Sequence, residues 1–212
     1  LKYCSWIGHY KKELKNFEEF GDDGEIWFGR VTENRLVNYI THDKALSRSS
    51  RIIDFGCGNG SLLRALQQKG YYHLSGVDYS EEAILLAKKL AEVKCAEHSD
   101  RHINFQVVDL LDESISLGVF NAIVDKGTWD ALSLSVDYNC RLKKYKANIC
   151  KTLDEHGVFI ICSCNYTKDE LERQFSNKQL KILEEVPCEN AIKFGGQKGS
   201  ATTTLVFQKM PF

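Results

Sequence analysis

Asp54-Phe55-Gly56-Cys57-Gly58-Asn59-Gly60 is the stretch whose reading decides the fold. Ahead of it, Ile52–Phe55 is a short apolar run with the character of a buried strand. Behind it, Ser61–Lys69 carries Leu62, Leu63 and Leu66 at helical spacing, and Gly70 stops the helix. Glycines let the turn take backbone angles closed to other residues and let a ligand come close to the main chain. In an open α/β sheet such a turn lies at the carboxyl edge of the first strand, where ligands bind.

The same alternation runs outward from the turn. Leu74–Val77 reads as the next strand, ending at Asp78. Ser80 caps a helix carrying Ala83, Ile84, Ala87 and Leu90, with Glu81 and Glu82 suited to its positive N-terminus. Ile103–Val108 alternates as a strand and ends in Asp109, and Phe120–Val124 is a strand ending in Asp125. A helix around Arg141–Leu153 precedes Gly157 and the strand Val158–Cys162, and Thr167 caps a helix reaching Phe175. Leu180–Val186 and Thr202–Gln208 are late strands with no helix-length segment between them, so they are expected as an antiparallel pair at one edge. The predicted class is α/β: a Rossmann-like, seven-stranded, mostly parallel sheet with helices on both faces and one antiparallel edge strand. A single domain is expected over residues 1–212, with a helical or lid segment over 1–50 and the core over 51–212.

Composition narrows the classes. Of 212 residues, 43% are hydrophobic and 27% charged, and the formal net charge is −1, which argues against a partner held mainly through phosphates. No apolar run approaches the length of a transmembrane helix, so neither nucleic acid nor membrane is expected as a partner. The chain begins at Leu1 rather than Met, which points to a trimmed N-terminus and leaves a leader peptide open. Cys4, Cys57, Cys95, Cys140, Cys150, Cys162, Cys164 and Cys188 include no CxxC pair. They read as reduced thiols of a cytoplasmic protein, the nucleus being the second compartment they allow, and no metal site is expected. A monomer is the expected state.

The turn departs from the GxGxxG of dinucleotide enzymes, because its third glycine comes one residue early and an acid, Asp54, stands two residues before the first. A carboxylate there repels a diphosphate but suits the ammonium and sulfonium of S-adenosylmethionine. Asp78 stands eighteen residues after Gly60 at a strand end, where a carboxylate accepts from both ribose hydroxyls. Asp109 ends the third strand near the expected adenine edge. Each aspartate alone is equally well a helix cap or a turn residue; the three in register with the turn point to the cofactor.

DFGCGNG with Gly76-Val77-Asp78-Tyr79-Ser80 resembles class I, seven-stranded methyltransferases over residues 51–212. The resemblance implies that Asp54, Gly56 and Gly58 line the methionine end, Asp78 the ribose, and Asp109 with Leu110 the adenine, with Tyr79 covering the ring. Three further stretches are Gly24-Glu25-Ile26-Trp27-Phe28-Gly29, Asp125-Lys126-Gly127-Thr128-Trp129-Asp130-Ala131 and Ser163-Cys164-Asn165-Tyr166-Thr167. With Phe194-Gly195-Gly196 they closely resemble the family that methylates a lysine of translation elongation factor 1-alpha, over nearly the whole chain including a helix Trp6–Phe20. That family implies a protein-lysine N-methyltransferase with the elongation factor as its protein substrate. Members of the wider class that act on adenine or glutamine nitrogens carry a [DN]-P-P-[FY] loop after the fourth strand; DKGT stands there instead.

Residues after the fourth strand face the transferable methyl in this fold, which makes Asp125 the candidate catalytic carboxylate, orienting the amine and easing loss of its proton. The alternative for Asp125 is a hydrogen-bonded turn residue that fixes the loop. Lys126, Trp129, Asn165 and Tyr166 are candidates for the substrate channel, although Lys126 also suits an ion pair and Asn165 a helix cap. Trp27 and Phe28 suit a lid over the cofactor or, equally, docking of the N-terminal helix on the sheet. A nicotinamide oxidoreductase, a small-molecule methyltransferase and a noncatalytic binding module are the competing readings.

Overall fold

The computed structural model describes residues 6–42, 46–94, 102–188, 192–194, 197–199 and 201–211. Cys4, Cys95, Gly195 and Gly196, named above, lie outside the described residues. The chain divides into two compact units, Leu1–Leu110 and Leu111–Phe212.

The first unit holds α1 (Trp6–Phe20), α2 (Gly29–His42), β1 (Arg51–Phe55), α3 (Ser61–Gln68), β2 (His73–Asp78), α4 (Glu81–Lys94) and β3 (Asn104–Val107). Its strands run parallel in the order β3-β2-β1, with Phe55 opposite Val77 and Asp78 opposite Val107. Ile52, Ile53, Asp54 and Phe55 are all buried, the pattern of a strand covered on both faces. Leu62, Leu63 and Leu66 of α3 are buried as their spacing predicts, and the Ser80 hydroxyl caps α4 by accepting from the Ala83 amide at 3.2 Å. The sequence did not resolve α2 as a helix of its own. It buries Leu36, Val37 and Ile40, and its Glu33 accepts from the Ser61 hydroxyl at 2.7 Å at the start of α3.

The second unit holds β4 (Phe120–Lys126), α5 (Thr128–Leu132), α6 (Tyr138–Thr152), β5 (Leu153–Ser163), α7 (Lys168–Phe175), β6 (Leu180–Glu185), β7 (Ile192–Phe194), β8 (Gln197–Gly199) and β9 (Thr203–Lys209). Four of its strands lie side by side in the order β4-β5-β9-β6. β4 and β5 are parallel, and β9 lies antiparallel to both β5 and β6, the late antiparallel pairing expected from the missing crossover helix. β7 and β8 form a separate antiparallel pair that the sequence did not announce.

The start of β5 corrects the expected boundary. The helix stops at Thr152, Leu153 already pairs with Phe120, and the next partners are Ala122 and Val158. Asp154–Gly157 therefore bulge out opposite Asn121, with His156 at φ 63°. Thr167 heads α7 in a full capping box with Glu170.

Gly76, in the middle of β2, is set by space. A Cβ there would stand 2.7 Å from Leu63, 2.9 Å from the Cys57 sulfur and 2.9 Å from Phe105. Gly76→Ala is expected to lower stability by about 1–3 kcal/mol through overpacking, read as a lower urea midpoint at unchanged slope. A loss below about 0.5 kcal/mol would show that the neighbours yield instead.

Candidate active site

The glycine turn leaves β1 with Gly56, Gly58 and Gly60 at φ 74°, 52° and 74°, angles that a side chain would strain. The Gly56 and Cys57 amides both donate to the Val77 carbonyl, at 2.8 and 3.0 Å. Asp78 completes the joint: one carboxylate oxygen accepts from the Gly58 amide at 3.0 Å and the other from the Ser80 amide at 3.0 Å. The Val108 amide donates to the Asp78 carbonyl at 2.9 Å, which fixes the chain leading to exposed Asp109 and buried Leu110. Asp54 and Asp78 are both buried. Burial pushes the Asp78 carboxyl above its ordinary range, against the pull of the Ser80, Gly58 and Tyr79 amides. Thus the structure brings Asp54, Gly56, Gly58 and Asp78 together at one turn, with the segment carrying Asp109 and Leu110 tied to it.

Residues 21–28 form a strap beside this turn. Asn59, inside the glycine motif, donates its amide to the Asp23 and Glu25 carbonyls at 3.1 and 3.3 Å. From α1, Glu13 accepts from the Glu25 amide at 2.6 Å. The strap ends in a turn closed by Gly29 donating to Ile26 at 2.7 Å, with Phe28 at φ 65°. Trp27 stands edge-on to Trp6 of α1, ring centres 4.9 Å apart, and Phe28 lies 5.7 Å from Trp27. Trp27 thus serves the docking of α1, while the strap itself is bound to the cofactor turn through Asn59. Tyr79 is half-exposed, and its hydroxyl meets the backbone of Ile7 and Trp6 at the start of α1.

Sequence reasoning missed Tyr10, Glu13 and Asn59 here. Asn59 stood inside the quoted motif, but nothing local marked its distant partners. Tyr10 is half-buried on α1, and its hydroxyl lies against Gly58.

In the second unit the residues after β4 and β5 form one hydrogen-bonded assembly. Asp125 is fully buried, and its carboxylate accepts from the Thr128 amide at 2.8 Å, the Trp129 amide at 3.1 Å and the Tyr145 hydroxyl at 2.7 Å. This geometry favours the loop-fixing role over contact with an amine. Trp129 corrects the sequence reading: it is 0% exposed and walls no opening. Its ring stacks on Tyr145 at 5.7 Å, meets Phe175 edge-on, and its indole N–H donates to Gln174 at 2.7 Å. The apolar partners lie far along the chain, so the motif alone did not show its depth.

Asp130 ties the two motifs together. It accepts from the Ser163 hydroxyl and, at 2.8 Å, from the Cys164 amide. The Ser163 oxygen in turn accepts from the Asn165 and Tyr166 amides at 3.1 Å each. Asn165 is exposed, and Lys126, Tyr138 and Tyr166 are half-buried, so these side chains reach the surface around the assembly. Burial, reinforced by Asp130, pushes the Cys164 thiol up to about 11, which removes it as a nucleophile.

The methyltransferase domain family matches residues 46–208. The chain belongs to that family. It is 38% identical over 206 residues to EEF1A lysine methyltransferase 2 of Homo sapiens, covering 97% of this chain and 84% of the relative. It is 36% identical to Protein-lysine N-methyltransferase efm4 of Schizosaccharomyces pombe, over 97% of this chain and 92% of that one. Among solved structures, an S-adenosylmethionine-dependent methyltransferase of Clostridium acetobutylicum superposes with a TM-score of 0.66 at 14% identity, over 95% of this chain and 99% of that one. The last likeness is one of fold.

The first unit's turn fits the family's cofactor. Buried Asp54 and Asp78 flank a glycine-lined approach, a setting that favours a cationic amino acid and ribose hydroxyls over a diphosphate.

Asp125 gives this methyltransferase a distinctive pH response. Burial raises its carboxyl to about 7, against the Tyr145 hydrogen bond, and Asp130 adds to the rise. An unfolded aspartate titrates near about 3.9, so between there and neutrality the folded chain binds the extra proton. Its contribution is therefore fully present below about pH 4 and is lost as pH rises toward about 7. Carbon-13 NMR of the Asp125 carboxyl is expected to show titration near about 7 and a further rise in Tyr145→Phe. An ordinary carboxylate titration, or a fall in the variant, contradicts this account.

Proposed function

We propose that this methyltransferase moves a methyl group from S-adenosylmethionine to the side-chain nitrogen of a lysine in translation elongation factor 1-alpha. The observation that carries the substrate is the near-full-length likeness to two protein-lysine methyltransferases, one of them named for that factor. The cofactor rests on the family and on the acid-flanked glycine turn.

When bound, the cofactor supplies an electrophilic methyl on a sulfonium. The protein's part is then positioning and electrostatics. Asp54 faces the cationic methionine end and Asp78 the ribose, while Asp109 and Leu110 border the adenine. The strap at Trp27 and Phe28 restricts water on that side. The lysine arrives neutral, because an ammonium has no lone pair, and its apolar stem suits the Tyr138 and Tyr166 rings. Asn165 and Lys126 supply polar groups for the amine. Asp125 and Asp130 act as positioning residues: one holds the loop after β4, the other locks that loop to the one after β5. Free thiols at Cys57, Cys140, Cys150, Cys162, Cys164 and Cys188 support a reducing compartment, the cytoplasm or nucleus.

The assay is incubation of purified elongation factor 1-alpha with labelled S-adenosylmethionine, followed by mass spectrometry. One methylated lysine in the factor is the expected result; labelled RNA or metabolite with the factor untouched overturns the substrate. Hydrogen bonds to a charged acceptor contribute about 1.5–3 kcal/mol, so Asp78→Ala is expected to weaken S-adenosylhomocysteine at least about tenfold in calorimetry. Unchanged affinity in a folded Asp78→Ala variant would reduce Asp78 to a turn residue.

A further inference from the structure

We propose that Tyr10 is a cofactor-binding residue, its phenol donating to the carboxylate at the methionine end of S-adenosylmethionine; the proposal rests on the cofactor reading above. A Cβ built on Gly58 would stand 2.2 Å from the Tyr10 hydroxyl oxygen and 3.1 Å from the carbon that bears it. The hydroxyl therefore fills the space that a side chain at Gly58 would take, directly against the turn where the cofactor's amino-acid end must approach.

The chemistry of the surroundings selects its role. Burial, reinforced by the negative charge of Asp78, Glu13 and Asp54 around that hydroxyl, holds the phenol protonated. It is thus a standing donor among acceptors. A zwitterionic ligand brings two demands to this turn. Its ammonium finds a carboxylate in Asp54, but its carboxylate is repelled by Asp54 and Asp78 alike and needs a neutral or positive donor. The Tyr10 hydroxyl is a donor placed directly at Gly58, while the Arg64 guanidinium donates to the Asn59 carbonyl.

The helix holds Tyr10 in place. Trp6 stacks on its ring at 6.3 Å, Glu13 one turn on is fixed by the Glu25 amide, and Glu18 and Lys11 pair with Lys89 and Glu82 of α4. A donor carried by α1 and fixed before the ligand arrives loses little freedom on binding.

Three ligands separate this role from a structural one. S-adenosylhomocysteine carries the whole amino-acid end, decarboxylated S-adenosylmethionine lacks the carboxylate, and methylthioadenosine lacks the amino acid altogether. In calorimetry, Tyr10→Phe is expected to weaken S-adenosylhomocysteine about tenfold while the other two change less than about twofold, with the circular dichroism spectrum unchanged. An equal loss for all three ligands, or no loss for any, overturns the role of the phenol while leaving the cofactor reading intact. A wild-type protein that binds none of the three overturns the cofactor reading and this proposal with it.

Discussion

A single carboxylate, that of Asp78, holds the cofactor half of the first unit together. It accepts from the Gly58 amide on one side and the Ser80 amide on the other, so the glycine turn and the start of α4 share one anchor. The turn needs that anchor because three of its residues sit in left-handed conformations that supply no regular ladder of their own. The Gly56 and Cys57 amides lean on the neighbouring Val77 carbonyl, and the β3 exit leans on the Asp78 carbonyl. The placement of Asp54, Gly58 and Asp109 depends on this joint, and the strap reaches it through Asn59.

The second unit repeats the device with two acids. Asp125 gathers two amides and a phenol at the end of β4, and Asp130 gathers an amide and a hydroxyl from the end of β5. The motifs DKGTWDA and SCNYT are thereby parts of one assembly, although Asp130 and Ser163 stand 33 positions apart, with α6 and most of β5 between them. A substrate meeting Asn165 and Tyr166 meets a surface whose backbone is fixed by buried acids, which limits the freedom lost when a lysine is positioned.

What was legible in the sequence was local. The strand runs other than the start of β5, the glycine turn, and the caps at Ser80 and Thr167 depend on neighbours a few residues away, and each stands as read. Trp129 and Tyr10 depend on distant partners and were misplaced or missed. An aromatic beside a catalytic-looking motif reads as a wall, but Tyr145, Gln174 and Phe175 bury Trp129 completely. Tyr10 sits on an amphipathic helix whose spacing shows only that one face packs, not that it packs on a glycine turn. The bulge at Asp154–Gly157 was hidden because glycine there reads as a helix stop, whereas the register shows it looping out of β5.

The choice of partners for the buried acids has a consequence for charge. Asp78, Asp125 and Asp130 are bonded chiefly by backbone amides and hydroxyls rather than by lysine or arginine. An aspartate paired to a guanidinium presents little net field, since the two charges cancel. One bonded to amides is desolvated yet remains an uncompensated negative centre, which is why burial raises Asp78. At an effective dielectric near 20, one opposite charge about 4 Å away attracts it by about 4 kcal/mol. A cationic ligand arriving at the glycine turn therefore both gains from this field and draws the Asp78 carboxyl back toward its ordinary range. The cost of burying the acid is offset when the ligand binds, so the turn is built to be completed by a cation rather than to stand neutral without one.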